Sequence, residues 1–177
     1  MEDQEGLVAT VATTEERVPG LAGPEGEDGR PSVRLREATV DDVEAIAQIE
    51  AASFSNPWHT DTFRSFIRKG RGYIPVAEDH EAGVVGYAVF WWVMDQGELA
   101  NVAVRKEHQG RGIGSALLDR VMEYAREKGV ETLFLEVRVS NQRARGMYLA
   151  RGFEQVAVRK DYYQKPREDA LILLRKL

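Results

Sequence analysis

Residues 109–114, Gln-Gly-Arg-Gly-Ile-Gly, have the composition and spacing of a turn that binds phosphate. They lie between an apolar extended run, residues 99–104, and an amphipathic helical run, residues 113–128. Glycines let the backbone turn sharply and approach a ligand, and the first turn of the following helix offers unpaired N–H groups and a positive dipole end. The segment therefore predicts a site at which the main chain holds an anion. Glycine-rich turns also occur where a helix packs tightly against a sheet, and the segment alone leaves both interpretations open.

Two other glycine-rich phosphate sites fit this chain poorly. A dinucleotide-binding fold opens a repeated βαβαβ series and carries an acid at the end of its second strand, whereas here an antiparallel series of strands is predicted before the turn. A kinase-type phosphate loop continues with Gly-Lys-Ser or Gly-Lys-Thr, and no such triplet follows the glycines of this chain.

Glu136 is an acid in the middle of an apolar run, residues 132–139. A carboxylate on a central strand is costly to bury unless it has a partner or a chemical task. One interpretation is a buried salt bridge to an arginine such as Arg138. The other is a chemical task in a functional site, because acids with perturbed surroundings cluster at such sites.

The elements that must position these residues belong to one domain, residues 33–177. The preceding residues 1–32 are rich in Gly, Glu, Thr and Pro, and they predict a disordered acidic tail. Hydrophobic periodicity predicts helices at 60–69, 113–128 and 141–151, and a first helix capped by Thr39 with Asp42. Alternating or continuous apolar runs predict strands at 33–36, 73–78, 84–94, 98–104, 132–139, 155–159 and 170–176. This order indicates an α/β fold, a mixed and mostly antiparallel sheet with helices on both faces.

The composition excludes several classes of protein. A chain of 177 residues with 43% hydrophobic residues suits one ordinary domain. It has no cysteine, which excludes disulfides and a cysteine nucleophile, and its three histidines are too widely spaced for a metal site, so no metal is expected. No signal peptide and no membrane-spanning run is evident, which predicts a soluble, cytoplasmic protein.

Charge is divided along the chain. Residues 1–32 carry a net charge of −6, residues 33–100 carry −5, and residues 101–177 carry +6. The basic part contains the glycine turn and suits a polyanionic small ligand, while the acidic part suits a cationic co-substrate. Solvated charged faces would give the same segregation.

In their order and spacing, these motifs resemble the GNAT acetyltransferases over residues 33–177. The resemblance rests on Gln-x-x-Gly-x-Gly from Gln109, on the central strand that contains Glu136, on Asn141, and on Tyr-x-x-x-Gly-Phe from Tyr148. The segments Leu-Glu-Val-Arg-Val-Ser-Asn (135–141), Arg-Lys-Asp-Tyr-Tyr (159–163), Arg-Glu-Asp-Ala (167–170) and Phe-Ser-Asn-Pro-Trp (54–58) look more specifically like the RimI branch. Members of that branch acetylate the N-terminal alanine of a small-subunit ribosomal protein. The archaeal N-terminal acetyltransferases share much of this pattern.

The resemblance implies a co-substrate, acetyl-CoA, and a role for each candidate residue. Backbone amides of the glycine turn would hold the pyrophosphate, and the preceding strand would pair with the pantetheine arm and offer an N–H to the thioester oxygen. Glu136 would be the general base, and Tyr148 would protonate the departing thiolate. Asn141 would contact the cofactor or cap a helix, and both can hold. The implied cofactor-binding residues are Val102, Ala103, Val104, Gln109, Gly110, Arg111, Gly112, Ile113, Gly114, Ser115 and Asn141, and the implied substrate-binding residues are Pro57, Trp58, Tyr162 and Tyr163.

Each of these residues also has a structural interpretation. A helical tyrosine such as Tyr148 is ordinarily part of the core, and Tyr162 and Tyr163 could be exposed aromatics of an edge strand. The leading hypothesis is an acetyl-CoA-dependent acetyltransferase that acts on a protein N-terminus by direct transfer in a ternary complex. A small-molecule amine acetyltransferase and a noncatalytic acyl-CoA sensor are the alternatives. The hypothesis includes no direct contact with nucleic acid or membrane, and a monomer or weak dimer.

Overall fold

A computed structural model describes residues 33–177 as one seven-stranded sheet with four α-helices. The predicted tail, residues 1–32, lies outside the described residues. The strands are β1 (Val33–Glu37), β2 (Pro75–Asp79), β3 (Gly83–Val93), β4 (Gln96–Val104), β5 (Thr132–Arg138), β6 (Glu154–Gln164) and β7 (Arg167–Lys176). The helices are α1 (Val43–Ser53), α2 (Thr60–Arg68), α3 (Ile113–Glu127) and α4 (Gln142–Leu149). Within the described range, no helix is both long enough and apolar enough to cross a membrane.

The strands are ordered β1-β2-β3-β4-β5-β7-β6 across the sheet. Every neighbouring pair is antiparallel except β4 and β5, which are parallel and joined through α3. The predicted fold class, a mixed and mostly antiparallel sheet with helices on both faces, is confirmed.

Each face of the sheet has its own apolar core. The side chains of α3 that recur at helical spacing, including Leu117 and Val121, pack against Leu99 and Leu135 on one face. On the other face, Ile46 of α1 and Phe63 of α2 pack against β2, β3 and β4. The sheet is therefore fixed from both sides around its centre, where β4 and β5 meet.

β4 and β5 pair only over their first residues. The parallel register runs from Gln96 opposite Thr132 to Leu99 opposite Leu135 and then ends, although both strands continue. At the same point, the pairing of β4 with β3 shifts by one residue, because Phe90 faces Leu99 while Val89 faces Asn101. Such a bulge bends the strand that contains the extra residue. The two central strands therefore diverge, and the last residues of β4 present a backbone edge that β5 does not use.

The predicted boundaries differ most from the structure in the last part of the chain. β6 extends to Gln164, well beyond the predicted end at residue 159, β7 begins at Arg167 instead of residue 170, and α4 is shorter than predicted. β6 is an edge strand that is exposed along nearly its whole length, so it lacks the apolar alternation that marks a half-buried strand. Its pairing with β7, not its own pattern, determines its length.

Candidate active site

A groove of about 900 Å³ opens where β4 diverges from β5. The end of α1, the last residues of β4, the glycine turn and the first residues of α4 line it. All the predicted cofactor-binding residues except Arg111 are among its lining residues. The Arg111 guanidinium instead lies 3.9 Å from the carboxylate of Asp79 on β2.

The glycine turn has the backbone conformation that only glycine adopts without strain. Gly110 has a φ of +84° and Gly112 a φ of +82°, both in the left-handed region. Gly112 is the N-cap of α3 and has no side chain that could cap it, and the first helical bond runs from the Ala116 N–H to the Gly112 carbonyl at 3.0 Å. The N–H groups of Ile113, Gly114 and Ser115 therefore precede the hydrogen-bonded helix, at its positive end and against the groove.

Gln109 connects three parts of the groove. Its side-chain amide donates to the Val104 carbonyl at 3.0 Å, and its amide oxygen accepts from Arg143 of α4 at 3.1 Å. These bonds hold the end of β4, the start of the turn and α4 in fixed relation. Asn141 caps α4, because its Oδ1 accepts from the Ala144 N–H at 3.1 Å. Asn141 also lines the groove, so the capping and ligand-binding interpretations are both compatible with its position.

Glu136 is the first residue of β5 beyond the last pair with β4. Its carboxylate forms an ion pair with Arg159 of β6, so the partner suggested from the sequence, Arg138, is wrong. Arg138 pairs instead with Glu168 at 3.2 Å. β7 separates β5 from β6, and Arg159 reaches Glu136 across it because Arg159 pairs with Ala170 and Glu136 with Ile172.

Glu98 is a second carboxylate on the same face of the sheet. Glu98 lies opposite Phe134 in the parallel register, and Phe134 is two residues before Glu136 on β5. Because side chains of a strand alternate between faces, residues two apart share a face, and Glu98 and Glu136 therefore lie on the same side of the sheet. Burial raises the pKa of Glu98, and the negative charge of Glu136 raises it further. The point of divergence therefore combines two acids with one arginine, an arrangement that would attract a cationic group.

Tyr148 is buried on α4, with 7% of its surface exposed. Its ring packs edge-on against Phe153, with the centroids 5.7 Å apart. Burial raises the pKa of Tyr148 well above that of an ordinary phenol, and Tyr163 adds to the effect. The hydroxyl is therefore protonated at neutral pH and able to donate.

Tyr162 and Tyr163 lie beside Glu136 near the end of β6. The pKa of Tyr162 is raised, chiefly because its hydroxyl bonds to Glu136. Tyr163 is half-buried under the Arg138 guanidinium, which lies 4.0 Å from its ring centroid, and burial raises its pKa to about 12. These residues are thus part of the charged cluster around Glu136.

Arg138 joins two segments that flank this cluster. Its guanidinium donates to Ser55 Oγ, between α1 and α2, and to the Lys165 carbonyl in the β6–β7 turn, both at 3.1 Å. Trp58 lies in the same α1–α2 segment, but its ring packs against Phe63 and Phe66 of α2. The lining of the groove includes none of the four predicted substrate residues, Pro57, Trp58, Tyr162 and Tyr163. It also lacks the two predicted catalytic residues, Glu136 and Tyr148.

Sequence reasoning missed several polar residues at this site. Arg159 and Glu98 are separated in sequence from Glu136 and meet it only through the strand order. Glu50 on α1 and Asn101 on β4 form a partly buried hydrogen-bonded pair. Glu50 carried one available signal, because it lies at i+4 from Ile46 on the inward face of α1. Among residues 33–177, no cluster of acidic or histidine side chains suited to a metal ion is found.

The groove, the glycine turn and the acid beside it are the features of an acetyltransferase site, and comparison with known proteins agrees. The sequence matches the acetyltransferase (GNAT) family over residues 43–153. The [ribosomal protein bS18]-alanine N-acetyltransferase of Haemophilus influenzae is 36% identical over 135 residues, which cover 75% of this chain and 90% of the relative. The enzyme of the same name from Escherichia coli K12 is 34% identical over 134 residues, 75% of this chain and 89% of the relative.

Solved structures agree with the fold. The crystal structure of the ribosomal-protein-S18-alanine N-acetyltransferase from Escherichia coli superposes with a TM-score of 0.74 at 31% identity, over 81% of this chain and 93% of that one. Ard1 from Thermoplasma volcanium gives a TM-score of 0.76 at 24% identity, over 82% and 98% of the two chains, and shares the fold. The chain belongs to the GNAT acetyltransferase family.

Proposed function

We propose that this acetyltransferase moves the acetyl group of acetyl-CoA to the α-amine of a protein N-terminus, and that its substrate is the N-terminal alanine of a small-subunit ribosomal protein. The relatives named for this reaction cover three quarters of the chain. The observation that carries the proposal is the end of β4 that β5 leaves unpaired, residues 102–104, which lines the groove together with the glycine turn, while Glu136 follows directly after the last pair of β5 with β4. A substrate of this kind implies a cytoplasmic enzyme.

The groove fits coenzyme A. Main-chain N–H groups at residues 110–115 suit a diphosphate, since they combine the positive end of α3 with a backbone that no side chain shields. The edge of β4 at Val102, Ala103 and Val104, which β5 leaves unpaired, suits the amide-bearing pantetheine arm. Arg143, Arg105 and Lys106 add positive charge to the lining. Acetyl-CoA supplies the acetyl group as a thioester.

Glu136 is the proposed general base. A terminal α-amine has a pKa of about 7.7 to 8.0, so a carboxylate suffices to take its proton near neutral pH, directly or through a water molecule. Arg159 and the Tyr162 hydroxyl hold the carboxylate in place. A lysine side chain, with a pKa of about 10.4, would be harder to deprotonate, which favours N-terminal over internal amines.

Tyr148 is the proposed general acid. Because burial raises its pKa, the phenol retains its proton at neutral pH, and the proton is available as the carbon–sulfur bond breaks. The thiol formed has a pKa of about 8.5, so the phenol is the weaker acid; it gives its proton to the sulfur as the carbon–sulfur bond breaks, and the phenolate regains a proton from water before the next turnover. The chain has no cysteine, and the acetyl group is therefore expected to pass directly from donor to acceptor.

Tyr162, Tyr163, Pro57 and Trp58 are the proposed substrate contacts. The tyrosines surround Glu136, whose negative charge attracts the protonated amine before the carboxylate takes its proton. Arg138 holds the α1–α2 segment against the β6–β7 turn, which supports a role for both segments in contacting the substrate.

The proposal is tested by intact-mass measurement after incubation with acetyl-CoA. The test peptide would begin with Ala and contain an internal lysine. The matched control would have the same sequence, including the lysine, with its N-terminus blocked. We expect one acetyl group on the free peptide and none on the blocked one. Acetylation of polyamines or aminoglycosides alone would show a small-molecule enzyme, and tight CoA binding without any product would show a sensor.

A further inference from the structure

Glu50 on α1 is a buried acid to which the proposed chemistry assigns no task. Only 1% of its surface is exposed. Oε1 accepts the Trp58 backbone N–H at 2.9 Å, Oε2 accepts the Tyr87 hydroxyl, and the Asn101 side-chain amide donates to both oxygens at 3.0 Å. Every one of these bonds uses the carboxyl group of Glu50 as an acceptor. Burial raises the pKa of Tyr87, and the nearby Glu50 raises it further. The phenol therefore keeps its proton and remains a hydrogen-bond donor.

The Asn101 bonds hold the part of β4 that forms the groove. Asn101 is the first paired residue after the bulge, and it lies two positions beyond the last pair of β4 with β5. From there to Val104, β4 has a neighbour on one side only. A strand with one free edge is held less firmly than a central strand, and the Glu50 carboxylate supplies an anchor from the helix beneath it.

The Trp58 bond holds the opposite wall. The segment between α1 and α2 begins with Phe54, which lines the groove, and Ser55 accepts a bond from Arg138 beside Glu136. The segment ends next to Trp58, whose N–H is bound to Glu50. One carboxylate therefore anchors both the strand on the donor side and the segment on the acceptor side.

A buried acid is an expensive way to join these elements. Apolar side chains of similar volume often stabilise a fold as well or better, whereas ionic and hydrogen-bonded groups define one geometry. The other buried side chains of α1, such as Ile46 and Ile49, are apolar. An acid at position 50 is thus better explained by the geometry it imposes than by stability.

We propose that Glu50 is a positioning residue, which sets the divergence of β4 from β5 and the place of the α1–α2 segment, and so aligns donor and acceptor for transfer. The inference rests on the proposed function for its kinetic part. Its structural part, the shape of the coenzyme A groove, is independent of the acceptor.

Glu50→Gln keeps the size of the side chain and replaces one acceptor oxygen by an NH₂ group that faces donors. We expect kcat/KM for an Ala-peptide to fall at least tenfold, and the Kd for CoA measured by calorimetry to rise several-fold. Asn101→Ala releases only β4, so it is expected to raise the KM for acetyl-CoA and the Kd for CoA more than the KM for the peptide.

Ile46→Val and Ile46→Ala are matched controls, because Ile46 is fully buried on the same helix and its side chain carries no polar group. The two variants are expected to lower the melting temperature by a smaller and a larger amount. Their rates, expressed per folded molecule, are expected to stay within twofold of wild type. If Glu50→Gln behaves like the Ile46 variants, with a lower melting temperature but unchanged rates and CoA affinity, the inference is overturned. If Glu50→Gln does not fold, Asn101→Ala decides by the same criteria.

The two levels of inference fail differently. If the wild-type protein acetylates no peptide but binds CoA, the proposed function fails, while the rise in CoA Kd for Glu50→Gln and Asn101→Ala still tests the positioning role. If the wild-type protein acetylates the peptide and both variants match it in rate and CoA affinity, the positioning role fails and the proposed function stands.

Discussion

Replacing Gly110 by alanine tests whether the main chain of the glycine turn holds coenzyme A. The φ of Gly110 is +84°, and an L-residue in the left-handed region costs about 1–2 kcal/mol. A Cβ at this position would lie 3.8 Å from the Arg143 guanidinium, an ordinary contact, so the protein itself adds no clash. Backbone strain is therefore the main effect of the substitution.

We expect the alanine to relieve this strain by adopting a negative φ, which rotates the following N–H groups away from the groove. Binding must then restore the strained conformation, and the full 1–2 kcal/mol appears in the affinity. The Kd for CoA is expected to rise by about five- to thirtyfold.

Gly129→Ala is the matched control. Gly129 follows the other end of α3 with a φ of +74°, and a Cβ there would have nothing within 4 Å. It introduces the same kind of strain away from the groove, so it should reduce the free energy of unfolding by about 1–2 kcal/mol and leave the Kd unchanged.

Isothermal titration calorimetry with CoA measures the affinity, and urea unfolding measures the stability of both variants. A Kd for Gly110→Ala within twofold of wild type would refute the reasoning, because the turn would then not depend on its left-handed backbone to hold the ligand. A similar loss of affinity in Gly129→Ala would also refute it, since the effect would then reflect general destabilisation.

Three further predictions concern the acids and the phenol around the groove. Glu136→Gln is expected to lower kcat by about a hundredfold or more, with the Kd for CoA within twofold of wild type, in steady-state kinetics and calorimetry; full activity would exclude Glu136 as the base. Tyr148→Phe is expected to lower kcat by a similar factor without a change in CoA affinity, and a rate equal to wild type would assign this tyrosine to the core alone. The folded protein protonates Glu98 more readily than the unfolded chain does, because burial and then Glu136 raise its pKa, so this acid lowers stability as pH rises above its ordinary range. Glu98→Gln should therefore raise the melting temperature near pH 7 and have little effect near pH 4, about the ordinary carboxyl pKa, and an equal shift at both values would contradict this.

Local pattern determined the fold class and the glycine turn. The glycines of residues 109–114 and the helical period of α3 are properties of neighbouring residues, and the structure has the left-handed turn and the helix where they were predicted. The apolar run of β5 likewise predicted a central strand. Amphipathic period and conformational preference act within a few residues, so they can be read without knowing the fold.

Only the tertiary structure decided which charged groups meet. Arg159 lies 23 residues after Glu136, and it became the partner in place of Arg138 because β7 lies between β5 and β6 in the sheet. Glu50 meets Asn101 from 51 residues away, through the packing of α1 on β4. Strand order and helix packing depend on the whole set of long-range contacts. Local periodicity therefore does not indicate which acidic and basic side chains come within hydrogen-bonding distance of each other.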